Sequence, residues 1–405
     1  MAHLHFAWEL GGGLGHAGRI RPLAQEALRR GHHVTISLRD LVHTDKLLHD
    51  VAALRFQAPV WLHQVHGVPS PAICLAEIML TCGYLNKDAL QGLFSGWCGL
   101  LSHLKPDLLV ADYAPTALLA ARSLGIRSAS LGIGFFIPPD VAPMPSIRDW
   151  EPAQPGRLEA ADRQMLTAIN AVLERVGAQP LERAAQAFHG DASMLLTWPE
   201  LDHYNRSVLP DGQRWWGPSM FADASERPAW PAGSGPKVFA YIKSDHPDHL
   251  ALLRALVDLG CRTICYLPEV AAGKPPPVQS PLITYARGPV ELGSTLAQAD
   301  LCVCHAGEAT LAQALLAGVP LLLLPMQAEQ FLNSRRVEQT GAGINAAQRK
   351  RPLDYAALLT SLLHEPGAKL AAQNIAVRHK DFTPRKHTES LVTEFERLLG
   401  KRDAL

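Results

Sequence analysis

The chain carries no excess charge of either sign: 38 Lys and Arg stand against 38 Asp and Glu in 405 residues, a formal net charge of zero. That balance removes the basic footprint with which a nucleic-acid binder neutralises phosphates, so no nucleic-acid partner is expected. Cysteine is scarce and odd in number, seven in all. Dense, even sets mark secreted disulfide scaffolds, so this count predicts free thiols and a cytoplasmic protein. Long hydrophobic runs are missing as well. The most apolar stretch, Ala314 to Met326, is broken by Gly318, Pro320 and Pro325, well short of the roughly 20 residues that cross a bilayer, and no transmembrane segment is expected. The opening His3-Leu4-His5-Phe6-Ala7-Trp8 lacks a basic flank, a long apolar core and a small-residue cleavage site, so no secretory leader is expected. What is present is apolar: 47% hydrophobic residues against 19% charged ones exclude a disordered chain. The length is too great for one ordinary core and predicts two domains, with a small molecule as the partner.

Short β-type runs alternate with helical-period runs in both halves, the pattern of a doubly wound α/β sheet. Strands are predicted near 3–9, 33–38, 107–112 and 128–131, with helices over about 19–30 and 115–124. Between 221 and 236 the composition shifts to Ala, Ser, Pro and Gly, which predicts a linker between an N-terminal domain (1–220) and a C-terminal one (237–383). In the second half, strands are predicted at 237–242, 262–266, 301–304 and 319–324, and helices at 249–259 and 311–317. A last amphipathic helix follows Pro384, within a terminal segment 384–405.

Two glycine loops sit at strand ends. The first, Gly11 to Gly18, contains Gly13-x-Gly15-x-x-Gly18, so a dinucleotide fingerprint with Asp40 as a ribose ligand has to be weighed against glycines that serve a tight turn. The second, His305-Ala306-Gly307-Glu308-Ala309-Thr310, follows an apolar strand and opens a helix, where backbone N–H groups and the helix dipole suit a diphosphate. Thr310 can add a hydroxyl donor and His305 a ring N–H. The next strand ends at Glu329 and Gln330, a carboxylate and an amide able to hold sugar hydroxyls, or else a solvated turn.

Taken together, His305 to Thr310, Ala314 to Pro320, Pro325 to Gln330 with Asn333, and Gly341-Ala342-Gly343 resemble the UDP-glycosyltransferase superfamily of the GT-B fold. Gly15-His16 with Pro22-Leu23-Ala24, Trp198 to Asp202, and Trp216-Gly217-Pro218 follow in family order. The resemblance implies two Rossmann-like domains facing each other across a cleft, with the final helix packed back on the first. It also implies a UDP- or dTDP-sugar as co-substrate, with no other cofactor. In that reading His305, Gly307 and Thr310 bind the donor diphosphate, Ser244 and Lys243 meet the phosphates, and Glu329 and Gln330 hold the donor sugar. The segment from Ala286 to Leu292 borders the nucleobase. Ala309, Glu308 and Lys243 depart from the family pattern: Ala309 removes a possible phosphate ligand, and Lys243 could supply a cation instead.

Transfer of a sugar to a hydroxyl needs a base. His16 is the candidate, since a neutral imidazole suits proton abstraction near pH 7. The family's dyad maps its orienting carboxylate onto Asp112, which could otherwise cap the helix near Pro115. Cys302-x-Cys304-His305 has the look of a metal site, but alternation along one strand makes both thiols small core groups, and no Asp-x-Asp triplet occurs to hold a divalent ion. A metal-independent, inverting reaction is expected. Met79, Phe94, Phe135 and Phe136 are candidate walls for a lipophilic or aromatic acceptor. The alternatives are a nucleotide-sugar 2-epimerase of the same fold, separable by incubation with donor alone, and a non-catalytic partner protein.

Overall fold

The first strand, β1 (His3–Trp8), is buried along nearly its whole length because parallel neighbours and helices cover both of its faces. The computed structural model describes residues 1–152, 154–220 and 226–400. After β1 come β2 (His33–Leu38), β3 (Leu54–Gln57), β4 (Leu108–Asp112), β5 (Arg127–Gly132) and β6 (Ala192–Leu195), forming one parallel sheet in the order β3-β2-β1-β4-β5-β6. The helix Gly15–Arg29 joins β1 to β2 and is closed by Gly31, whose φ of +83° is cheap only for glycine.

The second sheet is built from β7 (Lys237–Tyr241), β8 (Arg262–Tyr266), β9 (Ile283–Tyr285), β10 (Leu301–Cys304), β11 (Leu321–Leu323) and β12 (Gly343–Asn345). Its order, β12-β11-β10-β7-β8-β9, is the first order read from the other edge. Each sheet therefore has one place where strand order reverses, between β1 and β4 and between β7 and β10. In open α/β sheets, ligands bind outside the carboxyl ends of strands at such a reversal.

The chain divides into two units. The first holds residues up to Pro199, then Arg206–Gly217, and the described residues from Arg385 on. Its core joins Leu4, Phe6, Ile36 and Val110 of the sheet to Leu391 and Phe395 of the final helix Pro384–Gly400. Arg30 pins that helix, donating to Glu396 at 2.7 Å and to the Glu389 carbonyl at 2.8 Å. The second unit holds Glu200–Asn205 and the described part of Pro218–Pro384. Glu200 pairs there with His379 at 3.1 Å and Arg378 at 3.3 Å.

Two features depart from the expected organisation. Glu200–Asn205, which the sequence reading put in the N-terminal domain, clusters with the second unit. Residues 221–225 of the expected linker, and 401–405 of the terminal segment, lie outside the described residues. The described remainder of the linker is packed: the Glu226 carboxylate accepts from the Gly288 N–H at 2.6 Å, and Arg262 donates to the Gly235 carbonyl at 2.8 Å.

Candidate active site

His16 lies in the first turn of Gly15–Arg29, at the carboxyl end of β1, and Asp112 closes β4 beside it. The register pairs Trp8 with Asp112, so the loop after β1 and the end of β4 meet at the strand-order reversal. His16 Nδ1 is 3.1 Å from Asp112 Oδ1. Burial raises the pKa of this carboxyl, and Arg19, then His16, more than offset it, so Asp112 sits below the ordinary carboxylate value. An ionised carboxylate only accepts, so His16 carries its proton on Nδ1 and leaves the Nε2 lone pair free to act as a base. Asp112 therefore orients the ring and does not cap the helix Pro115–Ser123. Glu9 does that: its carboxylate accepts from the Thr116 N–H at 2.9 Å and the Thr116 hydroxyl at 2.6 Å.

The His16 ring is held between aromatic faces. Trp8 stacks on it at 5.1 Å between centroids, and Phe136 leans on its surroundings at 5.2 Å. Phe136 also stacks on Tyr113 at 4.2 Å. Tyr113, directly after Asp112, has a φ of +48°, a strained setting for a bulky residue and one found mostly where function demands it. Tyr113 and Phe136 line a small apolar pocket with Ala114, Leu118, Ile137 and Phe188. Of the four expected acceptor residues, only Phe136 reaches this pocket. Phe135 packs edge-on against Phe136. Met79 and Phe94 are buried core side chains, at 0% and 1% exposure, because their helical spacing serves packing. Asp40, weighed above as a ribose ligand, serves here as a helix cap, its side chain accepting from the His43 N–H at 3.0 Å.

In the second unit, the loops after β7 and β10 meet. The Lys243 backbone N–H donates to His305 Nε2 at 2.8 Å, which forces the ring proton onto Nδ1, and that N–H donates to the Leu324 carbonyl at 2.7 Å. Burial, opposed in part by the Leu324 carbonyl, holds the His305 pKa below its ordinary value. The expected ring N–H for a phosphate is thus already used: His305 ties the ends of β7, β10 and β11 together. Gly307 is exposed and stands at the N-cap of the helix Glu308–Leu316, whose first turn contains Thr310. That helix starts three residues earlier than the apolar spacing predicted.

Ser244 offers its N–H to Glu269 at 3.3 Å. Glu329 and Gln330 fall in the first turn of the helix Ala328–Gln339. Glu329 accepts from Asn333 at 3.2 Å, and the Gln330 side-chain oxygen accepts from the Met326 N–H at 2.9 Å. Asn333 also donates to the Ala306 carbonyl at 3.0 Å, fixing a loop in which Ala306 has a φ of +63°.

Known proteins share the architecture described above. A sequence profile of the "Glycosyltransferase family 28 C-terminal domain" matches residues 289–385, a stretch that includes the second loop. A PGL/p-HBAD biosynthesis glycosyltransferase of Mycobacterium tuberculosis is 26% identical over 337 residues, 78% of this chain and 76% of that protein. An elloramycin glycosyltransferase of Streptomyces olivaceus is 33% identical over 134 residues, 29% of this chain and 33% of that protein. Among solved structures, a calicheamicin glycosyltransferase superposes with a TM-score of 0.69 at 18% identity, covering 100% of this chain and 99% of that one. A spinosyn rhamnosyltransferase, also solved with thymidine diphosphate, gives 0.66 at 17% identity over 98% and 100%.

The chain is a glycosyltransferase of the GT-B fold.

The relatives named above are transferases, which favours transfer over the epimerase and non-catalytic alternatives. Among its described residues the glycosyltransferase has no group of three or more His, Cys, Asp or Glu placed to hold a metal ion, and no helix long and apolar enough to cross a membrane. Sequence reasoning missed Arg19, which donates to both oxygens of Asp112 at 2.8 and 2.7 Å. Its signal was available, since a residue three positions after His16 shares a helix face with it. Tyr113 and Glu9 gave no such signal, because their parts depend on strand neighbours distant in sequence.

Proposed function

We propose that this glycosyltransferase moves a sugar from a UDP- or dTDP-sugar onto a hydroxyl of a small natural-product-like acceptor, with inversion at the anomeric carbon. The observation that carries the reading is the buried His16–Asp112 contact at the β1/β4 reversal, with Nε2 left unprotonated. Nε2 takes the acceptor's hydroxyl proton as the oxygen attacks the anomeric carbon, and the nucleoside diphosphate leaves with the bonding pair. Asp112 stabilises the imidazolium as it forms, and the Trp8 face adds a cation–π contribution. One direct displacement by one base inverts the configuration.

The donor falls to the second unit. Gly307 and Thr310 at a helix N-terminus, with Ser244 and Lys243 after β7, would receive the diphosphate. Glu329 and Gln330 would meet sugar hydroxyls, and His305 would keep the Lys243 loop in place. No metal ion or further cofactor enters this scheme. The relatives, named for PGL/p-HBAD biosynthesis and for elloramycin, support a small natural-product acceptor, and structures solved with thymidine diphosphate support the nucleotide. The Tyr113 and Phe136 rings beside His16 would offer aromatic faces to such an acceptor. The seven unpaired cysteines suit the cytoplasm.

The test is direct. The protein is incubated with UDP- and dTDP-hexoses and a phenolic acceptor, with and without EDTA, and the product's anomeric coupling is read by NMR. A glycoside of inverted configuration, formed equally with chelator, is expected; a retained configuration or a new sugar nucleotide from donor alone contradicts the reading.

A further inference from the structure

Asp112 is fully buried, and a buried carboxylate facing only a neutral imidazole would leave a charge without a counter-charge in a low-dielectric interior. Arg19 supplies the counter-charge. Its Nη1 donates to both oxygens of Asp112, so Oδ1 is shared between Arg19 and His16 Nδ1. Arg19 itself is 9% exposed, and its Nε is buried with no hydrogen-bond partner among the described residues. Asp112 is therefore the group that holds this guanidinium inside the unit. His16 and Arg19 stand one helical turn apart and converge on the same carboxylate.

We propose that Arg19 is a positioning residue of the transfer reaction, holding Asp112 aligned on His16 and sharing its charge while His16 takes up and releases the proton. The inference rests on His16 being the base. The other titratable groups around the cluster leave Arg19 as its counter-charge. Glu9, at the end of β1, is engaged with Thr116, and Arg39 donates to the Glu9 carbonyl at 3.1 Å. The Tyr113 ring stacks on the His16 side of the cluster, 6.3 Å between centroids. His387 of the final helix is pushed down to about 4 by burial, against a raising contact from the Gly217 backbone and with a further lowering from Arg19, so it is neutral at pH 7.

With Arg19 present, Asp112 stays ionised but stabilises the imidazolium only in part. Without it, the His16–Asp112 pair holds its proton to higher pH and the free base appears later. Arg19→Gln should therefore lower kcat by about 10- to 100-fold with donor KM within twofold, and move the acid limb of the kcat profile up by at least half a pH unit. Arg19→Lys keeps the charge and loses the planar fork, so its acid limb should stay within about 0.2 units while kcat falls several-fold.

The His16 ring resonance, followed by NMR against pH without substrate, separates this inference from the base assignment. A midpoint that rises in Arg19→Gln supports the coupling even if His16→Ala were to retain turnover, which would sink only the base assignment. An unmoved midpoint and acid limb in Arg19→Gln overturn the inference. If that variant does not fold, an acid limb displaced in Arg19→Lys overturns it as well.

Discussion

Gly11 shows how closely the base is fitted to its loop. A Cβ at this position would lie 2.6 Å from His16 Nε2, the atom that must accept the proton, and the φ of +81° is itself unfavourable for a side chain. Gly11→Ala should cut kcat by about 10²-fold, because a displacement of the ring by an ångström is enough to lose alignment. Gly12→Ala is its control: nothing lies within 4 Å of a Cβ there, and its activity should match wild type in the same assay. Equal loss in both variants would contradict the fit. At this scale the sequence disclosed residue types better than their use. His16 and Asp112 stand 96 positions apart and were paired by resemblance, whereas the His305 ring was assigned to a phosphate although the Leu324 carbonyl and the Lys243 N–H occupy it. No spacing rule announces a carbonyl 19 residues away.

The helix Pro115–Ser123 has no cap of its own, since Ala114 stands at its N-cap, and it borrows the carboxyl of Glu9, the residue after β1. Burial, opposed by hydrogen bonds from Thr116 and Ala117 and by Arg39, pushes Glu9 up from an ordinary 4.5 to about 7. A carboxyl raised in the folded state contributes stability that is full below the unfolded value and is lost as pH rises through the folded one. Glu9→Gln cannot ionise and keeps an acceptor for Thr116. Its Tm should therefore gain on wild type between pH 5 and pH 8, by several degrees if the raise is worth on the order of 2 kcal/mol. A Tm difference that stays flat with pH would contradict the assignment.

Elements with strong β composition, such as β2, β8 and β10, were legible nearly to their ends. The helix Lys87–Leu104 was not, because Gly92, Gly96 and Gly99 dilute its signal; Gly96 is explained by Pro59, 3.1 Å from where its Cβ would be. The short strands β9 and β12, three residues each, are defined by their partners and not by their own composition.

Across the whole chain, two sheets of the same strand order each carry one cluster of candidate site residues at the reversal. The alternation of β and helical runs made that doubling legible without any sequence repeat. Membership of Glu200–Asn205 in the second unit was not legible, since the partners of Glu200, Arg378 and His379, lie nearly 180 residues along the chain. The proposed base and the proposed donor loops belong to different units, so the two functions should separate by mutation. The decisive measurement is His16→Ala, assayed for glycoside formation and, by calorimetry, for binding of UDP and dTDP. Turnover should fall by about 10²- to 10⁴-fold while the nucleotide Kd stays within about threefold of wild type. Transfer at the wild-type rate by a folded His16→Ala protein would contradict the account.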